Sequence, residues 1–189
     1  MKRIALVGDI GSGKTFFSKL FRLPVFNADL VVSNLYQKDE FLFRKIKKKF
    51  PNKISNFPLK KEELLKIIFQ DKKNLNALGK IIHPIVRKKM KNFFKTNERK
   101  KFVVLDIPLL LENKINNKND ILIYVQSRKS DILKKLKKRK NFNKKLMNKF
   151  AKIQLPLDYK KKKSQFVIKN DFKGRTVLKY IKNILKEIN

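Results

Sequence analysis

The sequence has no cysteine, no tryptophan, a single histidine and only five glycines in 189 residues. Without cysteine there are no disulfides and no thiolate metal sites, which fits a reducing compartment. No apolar run approaches the ~20 residues of a membrane helix. The opening residues read as a strand and a loop rather than a signal peptide, so a cytoplasmic protein is expected. Acidic residues are also scarce: 15 Asp and Glu against 50 Lys and Arg give a formal charge of +35. Such a charge raises the possibility of nucleic-acid binding. Yet 42 of the basic residues are Lys and only 8 are Arg, spread along the whole chain and accompanied by 18 Asn. Lys and Asn both have A-rich codons, so an AT-rich genome produces this bias by itself. The Arg forks on which specific nucleic-acid readers depend are few. No specific nucleic-acid partner is therefore expected, only weak sticking at low salt.

What the chain does have is 42% hydrophobic residues, 16 of them Phe. That is enough for one domain with a sizeable core, or one with a small inserted subdomain. Its organising stretch is Arg3-Ile4-Ala5-Leu6-Val7-Gly8-Asp9-Ile10-Gly11-Ser12-Gly13-Lys14-Thr15. Gly8, Gly13, Lys14 and Thr15 satisfy G-x-x-x-x-G-K-[ST], the phosphate-cradling P-loop. The glycines let backbone N–H groups close on an anion, and the helix beginning near Gly13 points its positive end at the same place. Lys14 reaches the β- and γ-phosphates, and the Thr15 hydroxyl suits the accompanying Mg²⁺. A bare pattern of this kind also arises by chance. Here an apolar strand precedes it, and Phe16, Phe17, Leu20 and Phe21 follow at helical spacing, as the motif requires.

Further along, Pro24 ends the first helix and Val25-Phe26 make a short second strand. Asp29 lies just past that strand, at the rim where open α/β sheets bind ligands. There it could serve as a general base or a Mg²⁺ partner, or equally as the N-cap of a helix starting near Leu30. Residues 30–100 read as helical. Pro84 suits the first turn of a helix carrying Val86, Met90 and Phe93, which places His83 at that helix's N-terminus. A lone His is more often structural than ligand-binding. Phe102 to Leu105 is an apolar strand of the kind buried on both faces. Asp106 stands where a Walker B-like carboxylate could sit, and Glu112 lies beyond the strand's end. Ile121–Val125 is the next strand. Residues 130–163 read as a basic helical pair placed like a kinase lid. Gln165–Ile168 is a last strand, and a closing helix turns Val177, Tyr180, Ile181, Ile184 and Leu185 inward. Strands alternating with helices indicate a doubly wound parallel α/β sheet of about five strands. Its core is expected at 1–29, 101–127 and 164–189, with a helical region over 30–100 and a helical lid.

Taken together the motifs resemble the dephospho-coenzyme A kinase family. The loop from Gly8 to Thr15 is similar to the family's G-G-I-G-S-G-K-[ST], and Asn27-Ala28-Asp29 to its D-A-D. His83-Pro84 with Val86-Arg87 matches H-P-x-[VI]-[RK]. Val104 to Glu112 is close to V-x-D-[IV]-P-L-L-F-E. Gln154 occupies the place of the lid glutamine, and Phe166-Val167-Ile168 with Asn170 resembles V-I-x-N. The resemblance implies transfer of phosphate from ATP, with Mg²⁺, to the ribose 3′-hydroxyl of dephospho-coenzyme A. It makes Asp29 the base. Gly8, Gly11, Ser12, Gly13, Lys14, Thr15 and Phe16 become the ATP-phosphate site, with Thr15 on the metal. His83, Arg87, Leu109 and Glu112 border the acceptor pocket, and Arg139 is a lid arginine acting on the transferred group. A monomer working on small molecules is implied.

Several positions depart from that pattern. Asn27 stands for the first Asp of D-A-D, and Asp9 for a loop glycine. Lys135 replaces a lid arginine, exchanging a fork for a point charge, and Lys140 stands where an Asp is usual. The stretch before Asp29 is short, and the glycine-proline turn after it is missing. Two other classes fit parts of the sequence: a different P-loop small-molecule or nucleotide kinase, and a nucleic-acid-binding protein with a relic loop. The acceptor motifs at 83–84 and 108–112 favour the first reading over both.

Overall fold

The computed structural model describes residues 1–138, 142–172 and 177–189, and Lys72 in its backbone only. The chain forms two compact units, Met1–Asn27 with Asn97–Asn189, and Ala28–Thr96. In order, the elements are β1 (Lys2–Gly8), α1 (Lys14–Leu20), β2 (Val25–Asn27), α2 (Ala28–Lys38), α3 (Glu40–Lys49), α4 (Lys61–Gln70) and α5 (Lys72–Thr96). They continue with β3 (Phe102–Asp106), β4 (Ile121–Gln126), α6 (Lys129–Lys137), α7 (Lys144–Ala151), α8 (Leu157–Lys163), β5 (Phe166–Lys169) and α9 (Val177–Glu187).

The first unit is built on a five-stranded sheet in the order β2-β3-β1-β4-β5. Every pairing is parallel, as the unbroken apolar runs of β1, β3 and β4 require. On one face, Phe17 and Phe21 beside α1, and Val177, Ile181 and Ile184 of α9, pack on Ile4, Leu6, Val104, Ile123 and Ile168. On β1 and β4 also packs α8. Because β1 is central, the glycine-rich loop leaves the carboxyl edge of the sheet at its middle, where open α/β sheets bind ligands.

Several expectations change in detail. Tyr180, expected to turn inward, is 38% exposed and does not belong to the core. Among its described residues the stretch read as a helical pair over 130–163 holds three helices, because Pro156 opens α8 as a separate turn of chain. In that stretch α7 starts on an Asn143 cap whose side chain accepts the N–H of Leu146 at 2.9 Å.

The second unit, α2 to α5, has its own core of Leu35, Leu42, Ile46, Leu64, Ile67, Leu78 and Ile82. The main correction falls here. Pro84 does not start a helix; it sits inside the 25-residue α5. A proline within a helix loses one hydrogen bond and costs about 3 kcal/mol. Leu78, Ile81, Ile82, Ile85 and Val86 nevertheless form one apolar stripe running past it onto that core. Burying each such side chain returns about 1.5–3 kcal/mol, so packing outweighs the local penalty. His83 therefore lies in mid-helix, without a helix N-terminus beneath it.

Candidate active site

The loop between β1 and α1 is shaped by three positive-φ glycines, Gly8, Gly11 and Gly13. Two of them have no room for a side chain. A Cβ on Gly8 would stand 2.6 Å from the carbonyl oxygen of Val125, and one on Gly13 would strike the Asn170 amide. Asn170 is the loop's main brace: its Nδ2 donates to the Ser12 carbonyl at 2.8 Å, and its Oδ1 accepts the N–H of Phe172 at 3.0 Å. Ser127 Oγ donates to the same Ser12 carbonyl at 3.0 Å. Part of the V-I-x-N resemblance thus has a physical use, holding the loop from behind. Beside it, Lys135 Nζ lies 5.8 Å from the centre of the Phe172 ring, a cation–π partner for this lysine.

Within the loop, Ser12 N–H donates to the Asp9 carbonyl, and Phe16 and Phe17 N–H to that of Gly13. Among the described residues this leaves the N–H groups of Gly11, Gly13 and Thr15 to meet an anion, at the positive end of α1. The Lys14 ammonium is held at the mouth by the carbonyls of Asp9 at 2.7 Å and Gly8 at 3.3 Å. Gly8, Lys14, Leu109 and Glu112 line one cleft, together with Ile107 and Lys160. Leu109 has φ +54°, a left-handed conformation that costs a non-glycine residue about 1–2 kcal/mol. Its carbonyl is clamped by both the N–H and the Nδ2 of Asn113, each at 3.0 Å.

Asp106 ends β3 and is 3% exposed. Asn27 is its cross-strand neighbour in β2, and Asn27 Nδ2 donates to Asp106 Oδ2 at 2.5 Å. An aspartate at 27 would set a second carboxylate against the first, which like-charge repulsion penalises. The amide at this departure from D-A-D is therefore well matched to its partner. As for a metal, Thr15 is an exposed hydroxyl following Lys14, a hard oxygen donor of the kind Mg²⁺ takes. Among the described residues no group of three or more His, Cys, Asp or Glu could hold an ion.

In the helical unit, Asp29 is exposed in the first turn of α2. The helix begins at Ala28, so Asp29 is inside it and the N-cap alternative falls. Two turns on lies Tyr36, whose phenol is pushed up to about 12, by burial first and then by the Asp29 charge. Its spacing of seven from Asp29 sets both on one helix side. His83 faces Gly79, where a Cβ would come within 3.3 Å of its ring. Burial first, and the Arg87 guanidinium second, hold the His83 imidazole below its usual range. The unfolded chain then binds the proton more readily, so stability is lost as pH falls below about 6.5. The thermal midpoint should fall from about pH 7 to 5.5 more steeply in the native protein than in His83→Gln. Equal slopes would show that the imidazole is solvated. Arg139 lies outside the described residues.

No described helix is long and apolar enough to cross a membrane. A crystal structure from Thermus thermophilus superposes with a TM-score of 0.80 at 24% identity, covering 100% of this chain and 98% of the other. The dephospho-CoA kinase of Campylobacter jejuni gives 0.67 at 19% identity, covering 100% and 97%. Both show a shared fold. In sequence, a dephospho-CoA kinase of Bartonella henselae is 36% identical, over 98% of this chain and 100% of its own. The corresponding protein of Bartonella quintana is 33% identical, over the same shares. The dephospho-CoA kinase family model matches residues 2–175, spanning the loop, the His83-Pro84 segment, the β3 turn and Gln154 alike. A chain matched from its phosphate loop to the residues beyond β5 belongs to the dephospho-CoA kinase family.

Proposed function

We propose that this chain transfers the γ-phosphoryl group of ATP to the ribose 3′-hydroxyl of dephospho-coenzyme A, giving coenzyme A and ADP. The observation that carries this reading is the cleft shared by Lys14, Leu109 and Glu112, which joins a phosphate-loop lysine to the acceptor motif of the family. The loop amides and Lys14 hold the donor phosphates and meet charge developing on the transferred group. Thr15 would hold Mg²⁺, which when bound neutralises charge on the β- and γ-oxygens. Asp29 accepts the proton of the 3′-hydroxyl as the new P–O bond forms. His83, Arg87, Leu109 and Glu112 border the acceptor, and Arg139 acts from the lid over 130–163. The helical stretch 30–100 serves as the acceptor-binding region, and the core is 1–29, 101–127 and 164–189. The reading takes the protein as a cytoplasmic monomer whose basic surface serves two polyanionic substrates.

A coupled assay of ADP release with dephospho-coenzyme A and Mg²⁺ tests it, run against a panel of nucleoside acceptors. Turnover with a nucleoside but not with dephospho-coenzyme A would move the chain to another acceptor. In the same assay Lys14→Ala should lower kcat about 10²–10³-fold, the loss typical of removing one donor aimed at a developing anion. A change under about threefold would show that Lys14 only binds ground-state phosphate.

A further inference from the structure

Asp9 is the odd residue of the phosphate loop, a carboxylate in a cradle built for an anion. It is turned to other partners. Asp9 Oδ1 accepts the N–H of Ile10 at 2.7 Å. The Gln154 amide lies between Asp9 and Lys160, and the orientation that satisfies both has its nitrogen donating to the same Asp9 oxygen at 3.2 Å and its oxygen accepting from Lys160 Nζ at 3.1 Å, in place of a 3.4 Å contact from its nitrogen to the Gly8 carbonyl. Lys160, whose side chain is 3% exposed, pairs with Glu112 at 2.6 Å. Glu112 Oε1 also accepts the N–H of Leu155 at 3.0 Å. Burial pushes the Tyr124 phenol of β4 up, and the charges of Asp9 and then Asp158 add to it.

We infer that Asp9 is a positioning residue for nucleotide binding, latching the segment 154–160 to the phosphate loop through Gln154. The order of charges explains the amide between them. An anion at Asp9 and a cation at Lys160 orient one dipole, N–H toward the first and C=O toward the second. The latch reaches Lys14 through the backbone, because the Asp9 carbonyl is the acceptor 2.7 Å from its ammonium. With glycine at 9, the Ile10 and Gln154 donors lose their acceptor and the loop limb that carries Lys14 is no longer fixed. Electrostatics alone argues the opposite sign, since a carboxylate near phosphates repels them. The two accounts therefore separate cleanly.

This inference rests on reading the loop as a nucleotide site. Its test measures Mg·ADP binding by calorimetry for the full chain and for Asp9→Gly, Asp9→Asn, Gln154→Ala and the Asp9→Gly/Gln154→Ala double variant. Asp9→Gly and Gln154→Ala should each weaken binding about tenfold, as expected for a lost charge-assisted hydrogen bond. The double variant should be no more than about twofold weaker than the poorer single, because both cut one chain of bonds. Asp9→Asn keeps the Oδ1 acceptor and should stay within about threefold of the native value. Tighter binding by either Asp9 variant would overturn the latch and leave simple repulsion. Losses that multiply, or Asp9→Asn as poor as Asp9→Gly, would overturn it too. If the native protein bound no ADP, the nucleotide reading would fail and the inference with it. Urea midpoints of the same proteins would then report separately whether Asp9 and Gln154 are coupled in the fold.

Discussion

Asp29→Asn should lower kcat by about 10²–10⁴, the range that a positioned general base supplies, while ATP affinity stays within about twofold. The substitution is close to isosteric and leaves the backbone alone. Because α2 starts at Ala28, Asp29 is not its N-cap, and the favourable charge it adds at the helix start is worth about 0.3–1 kcal/mol. A large fall in kcat with a small fall in stability is therefore the signature of a proton acceptor. The neighbouring Tyr36 cannot take over the task. With its phenol pushed up to about 12, it stays protonated at any pH at which the enzyme is assayed. Steady-state rates at saturating ATP and dephospho-coenzyme A, with denaturation midpoints for both proteins, decide the matter. An unchanged kcat would return Asp29 to a role at the helix terminus.

The parts of this molecule that were readable in advance are those specified by short stretches of chain. The run Ile4–Val7 before the glycines, the apolar Phe102–Leu105 and Ile121–Val125 each carry enough local pattern to name a buried parallel strand. The glycines at 8, 11 and 13 carry the loop, and their spacing within eight residues is itself the signal. What escaped depends on partners distant in sequence. Nothing near Pro84 shows that Leu78 and Ile85 will share one packed stripe, so the local breaker signal looked decisive until the core of the helical unit overrode it. The exchange at Asn27 looked like a lost carboxylate, and only the β2–β3 register, which sets it opposite Asp106, gives it a reason. Lys160 is one of four consecutive lysines and reads as solvated surface. Its burial follows from Glu112, 48 positions earlier, and from α8 turning that side toward β1 and β4.

The stability of that pair gives the other large effect. Glu112→Ala should destabilise the protein by about 3–5 kcal/mol, because it leaves the ammonium of Lys160 buried without its counter-charge. The two side chains are 3% and 9% exposed and 2.6 Å apart, so solvent cannot screen or replace the contact as it does at a surface. The N–H of Leu155 loses its acceptor in the same variant. For a domain of this size each kcal/mol moves the thermal midpoint by about 2–4 °C, so a fall on the order of 10 °C is expected. Circular dichroism melts with urea titrations measure it. The double variant Glu112→Leu/Lys160→Met removes both charges and should recover most of the loss, since desolvating an ion pair costs nearly what the pair returns. Recovery would show that the single variant fails through an uncompensated charge rather than through a hole in the packing. If Glu112→Ala instead melted within about 1 °C of the native protein, a shift of well under 1 kcal/mol, Lys160 would be solvated and the pair superficial. The double variant has a second use. It tests whether a folded protein without the Lys160 charge still binds dephospho-coenzyme A, because Glu112 and Lys160 line the same cleft as Lys14. A raised KM for the acceptor at unchanged stability would make the Glu112–Lys160 pair a substrate contact as well as a structural one.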